Sequence, residues 1–200
     1  MHVGPKASAH LSAPNVPANV WMDAPFGVTG FVDKAAATGP IKLLFYQNIR
    51  GTWVLQKTVY AKWSGYTDTV TKYLADVTLP YEGTWRIGAS YGGNETYASA
   101  YTYRDFEVGW TVTYEGWGAQ GFVGPFTLQP GEAYFISGHG GEGNFIVWLT
   151  DQYGNVTDLL FNEIGSGSWY TSGVLSERQT FYLDVDYADG PWIITVAQKH

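Results

Sequence analysis

Gly83-Thr84-Trp85-Arg86-Ile87-Gly88-Ala89-Ser90-Tyr91 is the stretch from which the fold can be read. Successive side chains of a β-strand point to opposite faces. Trp85, Ile87 and Ala89 therefore go one way, and Arg86, Gly88 and Ser90 the other. One face suits a core and the other suits water. Pro80 precedes the run and Gly92-Gly93-Asn94 closes it as a turn.

The same period of two extends in both directions, and no convincing amphipathic helix interrupts it. Residues 7–13 and 27–33 read as strands with the proline-rich 14–17 between them. Strands follow at 41–47, 52–62 (from the Gly51 turn), 69–79 and 96–108. About seven strands at hairpin spacing in roughly 100 residues predict an immunoglobulin-like sandwich. Beyond a junction near Glu107–Gly109, eight shorter strands are predicted at 110–114, 122–128, 133–137, 144–150, 156–162, 168–171, 180–186 and 192–197. The run 144–150 is apolar on both faces, as a doubly covered central strand would be. Along 180–186, Phe181, Leu183 and Val185 oppose Tyr182, Asp184 and Asp186. Ala188-Asp189-Gly190 reads as a tight hairpin turn. The eight strands predict a jelly-roll-like sandwich. The expected fold is thus all-β, two tandem antiparallel β-sandwiches, Ig-like over 1–108 and jelly-roll-like over 109–200.

Charge divides the chain at the same place. Up to Val108 there are nine Lys and Arg against eight Asp and Glu; from Gly109 there are two, Arg178 and Lys199, against ten. The whole chain carries −7. No basic stripe is available to neutralise phosphates, so nucleic acid is not an expected partner. No apolar run reaches the length of a membrane span, and membrane insertion is not expected. The absence of Cys excludes disulfides, thiolate metal sites and thiol catalysis. Hydrophobic residues at 45% and aromatic residues at 17% supply ample material for two cores.

Gly51-Thr52-Trp53-Val54-Leu55, the Gly83–Tyr91 run and Arg104-Asp105-Phe106-Glu107-Val108 together resemble the Ig-like repeats of bacterial surface proteins. In the second half the residues that carry a likeness are Pro125-Phe126-Thr127-Leu128 with Pro130-Gly131, Gly143-Asn144-Phe145-Ile146-Val147-Trp148-Leu149, Phe181-Tyr182-Leu183-Asp184-Val185 and Gly190-Pro191-Trp192. They resemble the bacterial pre-peptidase C-terminal domain and related jelly rolls. The resemblance implies a pair of non-catalytic extracellular modules, secreted or at the cell surface, with a leader absent from this chain; a cytosolic protein is the alternative to a removed leader and a non-native Met1. It supplies no catalytic residue.

Gly165-Ser166-Gly167-Ser168 superficially suggests a serine nucleophile, but no helix follows it to make a nucleophile elbow. Of the internal histidines, His10 falls in the first predicted strand and His139 in a predicted flexible loop, 137–143. An ordinary Gly/Ser loop is the preferred reading, and the chain is expected not to be an enzyme. Asp184 and Asp186 share a strand face about 7 Å apart; a solvated face explains them better than glycoside hydrolysis.

Hard cations want several converging oxygens. Asp151, Asn155 and Asp158 around one turn, and Asp184, Asp186 and Asp189 near the last hairpin, are the candidate ligands of a structural calcium ion. No D-x-D-x-D-G run supports them, and an Asx turn is the preferred explanation of Asp151 and Asn155. No other cofactor is expected. Exposed aromatic side chains on a β-sandwich suggest polysaccharide as a partner. The candidates are Trp169 and Tyr170 in the Gly/Ser-rich stretch 165–173, Trp117 between two glycines, and Trp63 and Tyr66 around Gly65; core or interface packing is the commoner use of any one such ring. The Asn94-Glu95-Thr96 and Asn155-Val156-Thr157 sequons are expected to be turns without glycans. The functional expectation is a non-enzymatic structural or adhesive module pair meeting a polysaccharide or another surface protein. The alternatives are a carbohydrate-binding accessory module and a subunit of a surface filament or layer.

Overall fold

The computed structural model describes residues 5–37 and 39–199; the Met1 start lies outside them. Apart from a single 3-10 turn at Lys34–Ala36, the regular structure is β, in antiparallel sheets that do not close into a barrel. No helix among the described residues is long and apolar enough to cross a membrane. The chain divides into two compact units, Met1–Val108 and Gly109–His200.

The first unit contains β1 (Val20–Trp21), β2 (Phe26–Asp33), β3 (Ile41–Ile49), β4 (Thr52–Tyr60), β5 (Lys62–Tyr66), β6 (Val70–Val77), β7 (Gly83–Tyr91) and residues 100–108 of β8 (Ala100–Trp117). One sheet runs β2-β6-β5 and the other β4-β3-β7-β8. The alternation read from the sequence decides what lies between them. Val28, Val32, Tyr73 and Val77 come from the first sheet; Ile41, Leu43, Phe45, Trp85 and Ile87 come from the second, all buried in one cluster. Burying a Trp this deeply requires a partner for its one polar atom, and Trp85 Nε1 donates to the Tyr81 carbonyl at 3.1 Å.

Three expectations for this unit need correction. Residues 7–13 do not form a strand. They touch their neighbours through isolated bridges, Ala7 to Tyr97 and Leu11 to Val32, with Asn15 bridging Thr29 further on. Pro14 and Pro17 have no N–H to extend such contacts into a ladder. The predicted strand 52–62 ends at Tyr60, because Ala61 turns its N–H to the Ile41 carbonyl and β5 joins the opposite sheet. The predicted strand 96–108 begins only at Ala100; before it, Asn94 Oδ1 accepts from the N–H groups of Thr96 and Tyr97 and makes a turn.

The second unit contains residues 110–117 of β8, then β9 (Gly121–Leu128), β10 (Gly131–His139), β11 (Asn144–Asp151), β12 (Val156–Ile164), β13 (Gly167–Leu175), β14 (Gln179–Tyr187) and β15 (Pro191–Gln198). Its sheets run β13-β10-β15-β8 and β12-β11-β14-β9. Every connection except β11–β12 therefore passes from one sheet to the other. Phe126, Phe145, Val147, Phe161, Leu183 and Val185 meet Phe135, Trp192, Ile194 and Val196 in the core between them.

The strand expected at 168–171 is present and extends to nine residues as β13. Elsewhere in this unit the sequence misleads. The predicted flexible loop 137–143 contains the end of β10, with His139 buried. Strand β11 is not covered on both sides, since Ile146 and Trp148 are only half-buried. Ala188-Asp189-Gly190 is not a hairpin turn, because β14 and β15 belong to different sheets. It is a corner locked by its own side chain: Asp189 Oδ2 accepts from the Gly143 N–H at 2.6 Å, and Oδ1 stands 3.3 Å from His139 Nε2. The His139 ring stacks on Phe145 at 4.9 Å and its Nδ1 donates to the Gly165 carbonyl at 3.0 Å.

Candidate functional site

On the four-stranded sheet of the first unit, strand register gathers side chains that are far apart in sequence. Tyr46 of β3 lies opposite Leu55 of β4 and Arg86 of β7. Arg86 in turn lies opposite Asp105 of β8, and Gly88 opposite Tyr103. Phe45, Trp85 and Ile87 point into the core, so alternation turns these residues outward.

Arg86 is the centre of the group. Its Nε and Nη2 donate to the two Asp105 oxygens at 2.6 and 2.8 Å, a fork that fixes the guanidinium plane. Its Cζ stands 4.3 Å from the centre of the Trp53 ring and 4.1 Å from that of Tyr103, within cation–π reach of both. The hydrogen bonds from Arg86 hold the Asp105 carboxyl below the usual carboxylate range, and the same contact raises Arg86. The two charges cancel, so the patch is fixed in place without a net charge from this pair.

Tyr101 extends the patch. Its ring lies across Gly88, where a β-carbon would collide with the phenol oxygen and the adjoining ring carbons. Glycine thus lets the ring rest on the sheet while the residue stays 53% exposed. Burial, and then the neighbouring Tyr46, raise the Tyr101 phenol pKa, while Arg86 works against them. Tyr101 and Tyr103 stand 6.5 Å apart, tilted by 33°. Farther along the same face, Lys42 Nζ sits 5.8 Å from the centre of the exposed Tyr60 ring. Four strands at about 4.8 Å spacing make this platform roughly 14 Å wide. Apolar ring faces beside oriented donors and acceptors can stack on the C–H face of a sugar and hydrogen-bond its hydroxyls.

The aromatic residues singled out from the sequence lie elsewhere. Trp169 turns inward and stacks on Phe145 at 6.1 Å, as part of the second core. Tyr170 is exposed on the other face of β13 and stacks on Tyr134 at 6.1 Å. Trp117 is not in a loop; it ends β8 and is 68% exposed. Trp63 and Tyr66 lie on β5 and are exposed. Trp63 and Tyr66 thus belong to the first unit; within the second, Trp169 packs on the core while Tyr170 and Trp117 are exposed on different strands. The platform went unnoticed in the sequence because Tyr46, Trp53, Arg86, Tyr101 and Tyr103 look unrelated until register aligns them. The available signal was the outward half of each alternating strand, above all Arg86-Gly88 and Tyr101-Tyr103.

The candidate calcium ligands are also dispersed. Asp151 Oδ1 accepts from the N–H groups of Tyr153 and Asn155 at 2.8 and 2.9 Å, and Oδ2 accepts from Asn155 Nδ2 at 2.9 Å. Its carboxyl is occupied in forming the turn, and these bonds, that of the Asn155 side chain foremost, lower its pKa. Asp158 accepts from the N–H of Leu159. Asp184 and Asp186 share the outer face of β14; partial burial, and then Asp186, raise the Asp184 pKa. Asp189 is committed to the His139 corner. Among the described residues no three His, Cys, Asp or Glu side chains converge as a metal-binding group.

The Asp151 turn does build something else. It carries Tyr153, 80% exposed, beside Phe122 of β9 and Tyr182 of β14, whose rings stand 6.4 Å apart at 84°. Phe122, Tyr182, Tyr153, Asp151, Gln152 and Gly154 line a concavity of about 310 Å³. Comparison of the chain with protein families, curated proteins and solved structures finds no match.

Proposed function

We propose that the chain is a non-enzymatic pair of extracellular adhesion modules whose first unit holds neutral polysaccharide on the Trp53–Arg86–Tyr103–Tyr101 face. The observation that carries this reading is the Arg86 guanidinium set between two rings and tied to Asp105, with Tyr101 laid on Gly88. Exposed large side chains normally scatter over a surface; here Tyr101 and Tyr103 are exposed beside the half-buried Tyr46, Trp53 and Arg86, in one group that crosses four strands. The cancelled charge favours a neutral glycan over an acidic one.

The strand orders support the finer fold reading. A β2-β6-β5 sheet facing β4-β3-β7-β8 matches an immunoglobulin-like sandwich with one added strand beside the third. Eight strands that change sheet at all but one connection match a jelly roll. Both are architectures on which secreted and surface proteins carry binding sites, and the sequence resemblance to bacterial extracellular modules points the same way. A carbohydrate-binding accessory to a catalytic domain would use the same face.

Affinity electrophoresis through gels containing single neutral polysaccharides tests the reading. Retardation by at least one glucan, mannan or xylan, relieved by Tyr101→Ala at an unchanged melting temperature, is the expected result. Unretarded migration on the whole panel would remove it.

A specific observation also favours self-association. The edge of β2 is covered by residues 11–15, β9 carries Pro125, and β12 carries Asp158 and Glu163 and pairs irregularly with β11. By contrast, β13 has nine uncharged residues in unbroken register with β10 and no strand on its other side among those described. Such an edge is the natural point for a second copy to add.

A further inference from the structure

The concavity beside the Asp151 turn belongs to the second unit, shares no residue with the platform, and is not used by the proposed saccharide reading. Its walls are aromatic. The rings of Phe122 and Tyr182 meet at 84° with centres 6.4 Å apart; a cation over an open face of either ring, within roughly 6 Å of its centre, is attracted by it. Tyr153 supplies a third ring from the turn. Glycine serves the site twice: Gly154 adopts the turn's φ of +84°, which L side chains rarely take, and a β-carbon on Gly124 would come within 3.2 Å of Tyr182 Cδ1.

Charge selects the ligand class. Asp151 lines the concavity, and the hydrogen bonds that form its turn keep the carboxyl ionised. Asp184 lies directly opposite Phe122 in the β14–β9 register. Among the described residues no Lys, Arg or His lines the space, and from Gly109 onward the chain has only Arg178 and Lys199 against ten acidic residues. A metal ion would want the Asp151 oxygens, which are already engaged by N–H donors. A large, weakly hydrated organic cation needs no direct ligand, only ring faces and a negative field.

We propose that Phe122, Tyr153 and Tyr182, with the carboxylates of Asp151 and Asp184, form a binding site for a quaternary ammonium group of the choline type. The group sits over an open ring face of Phe122 or Tyr182, with Tyr153 closing over it from the turn. The site discriminates by charge rather than by shape, because the three rings offer the same apolar contact to a neutral molecule of equal size.

The test is a heteronuclear NMR titration of the full chain with choline and, in parallel, with 3,3-dimethylbutan-1-ol, its uncharged isostere. Choline is expected to move the amide signals of Tyr153 and Gly154 saturably, and the isostere to bind at least about fivefold more weakly. Phe122→Leu, which keeps an apolar side chain on β9, is expected to weaken choline binding about fivefold, and Asp184→Asn to weaken it less. Co-sedimentation with phosphatidylcholine vesicles separates the two sources of the same group: pelleting assigns the site to lipid headgroups, and binding of free choline alone assigns it to the soluble cation. Equal response to choline and its isostere, or no saturable shift with choline in a folded protein, would overturn the proposal.

Discussion

The phenol end of Tyr101 occupies the place where Gly88 lacks a β-carbon, so that one residue's missing atom is the seat of the other's side chain. Gly88 has ordinary strand geometry, and alanine there is not strained by the backbone; the conflict is with the far end of the tyrosine alone. Gly88→Ala is therefore expected to leave the melting temperature close to that of the parent while lifting Tyr101 off the sheet. Polysaccharide affinity should fall about fivefold, the scale of one misplaced aromatic contact of about 1 kcal/mol. Paired calorimetric melting and affinity electrophoresis check both halves.

Asp105 gives the platform a pH dependence of definite sign. Arg86 depresses its folded pKa, so the stabilisation it brings is complete above the unfolded carboxylate value near 4 and disappears as pH falls through the lower folded value. The pair is partly exposed, with 44% of the Asp105 side chain open to solvent, so solvent screening keeps its contribution to stability small. Saccharide binding is expected to be constant from neutrality down to about pH 4 and to weaken below it. Asp105→Asn should make the binding profile flat and uniformly weaker, measured across that range by isothermal titration.

Tyr73 sets the alkaline limit of the first unit. Burial pushes its phenol up to about 12, the hydrogen bond at Ser12 opposing weakly. A raised folded pKa means stability that is whole below the unfolded value near 10 and is lost as pH climbs from there to about 12. The loss amounts to about 2–3 kcal/mol. Urea unfolding at pH 9 and pH 11.5 should show it, and Tyr73→Phe should remove most of the difference.

The Asp189 corner holds the second unit. Asp189→Ala leaves the Gly143 N–H without its acceptor and removes the carboxylate beside the buried His139 ring, at an expected cost of about 1–3 kcal/mol. Asp189→Asn keeps an acceptor for Gly143 and should cost less. Gly141→Ala places a β-carbon against both the Asp189 carboxylate and the His139 ring and should be as harmful as the alanine at 189. Chemical unfolding of the three variants orders them.

Sedimentation velocity addresses the β13 edge. Concentration-dependent dimer is expected in the parent, and Ser172→Lys, a charge on the exposed strand, should abolish it without lowering the melting temperature.

Strand alternation was legible wherever apolar and polar residues alternate cleanly, as in Gly83–Tyr91 and Gln179–Tyr187. It misled where the same local chemistry serves two structures. Asp-Gly suits a hairpin or a corner between sheets, and only the pairing of β14 and β15 with other strands tells them apart. Gly165-Ser166-Gly167-Ser168 suggested a loop, yet long-range pairing with β10 already makes Gly167 and Ser168 the start of β13. Neither aromatic surface could be read along the chain, because Trp53 and Tyr103, or Phe122 and Tyr153, meet only through register and turns.

The most direct measurement is the binding isotherm of a retained neutral polysaccharide to the parent, Tyr101→Ala, Trp53→Ala and Trp169→Phe. Loss of affinity in the first two variants, with unchanged melting temperature and with Trp169→Phe binding like the parent, is the result expected of the β4-β3-β7-β8 face. Full affinity in Tyr101→Ala and Trp53→Ala would contradict it and place the glycan, if one binds, on another surface.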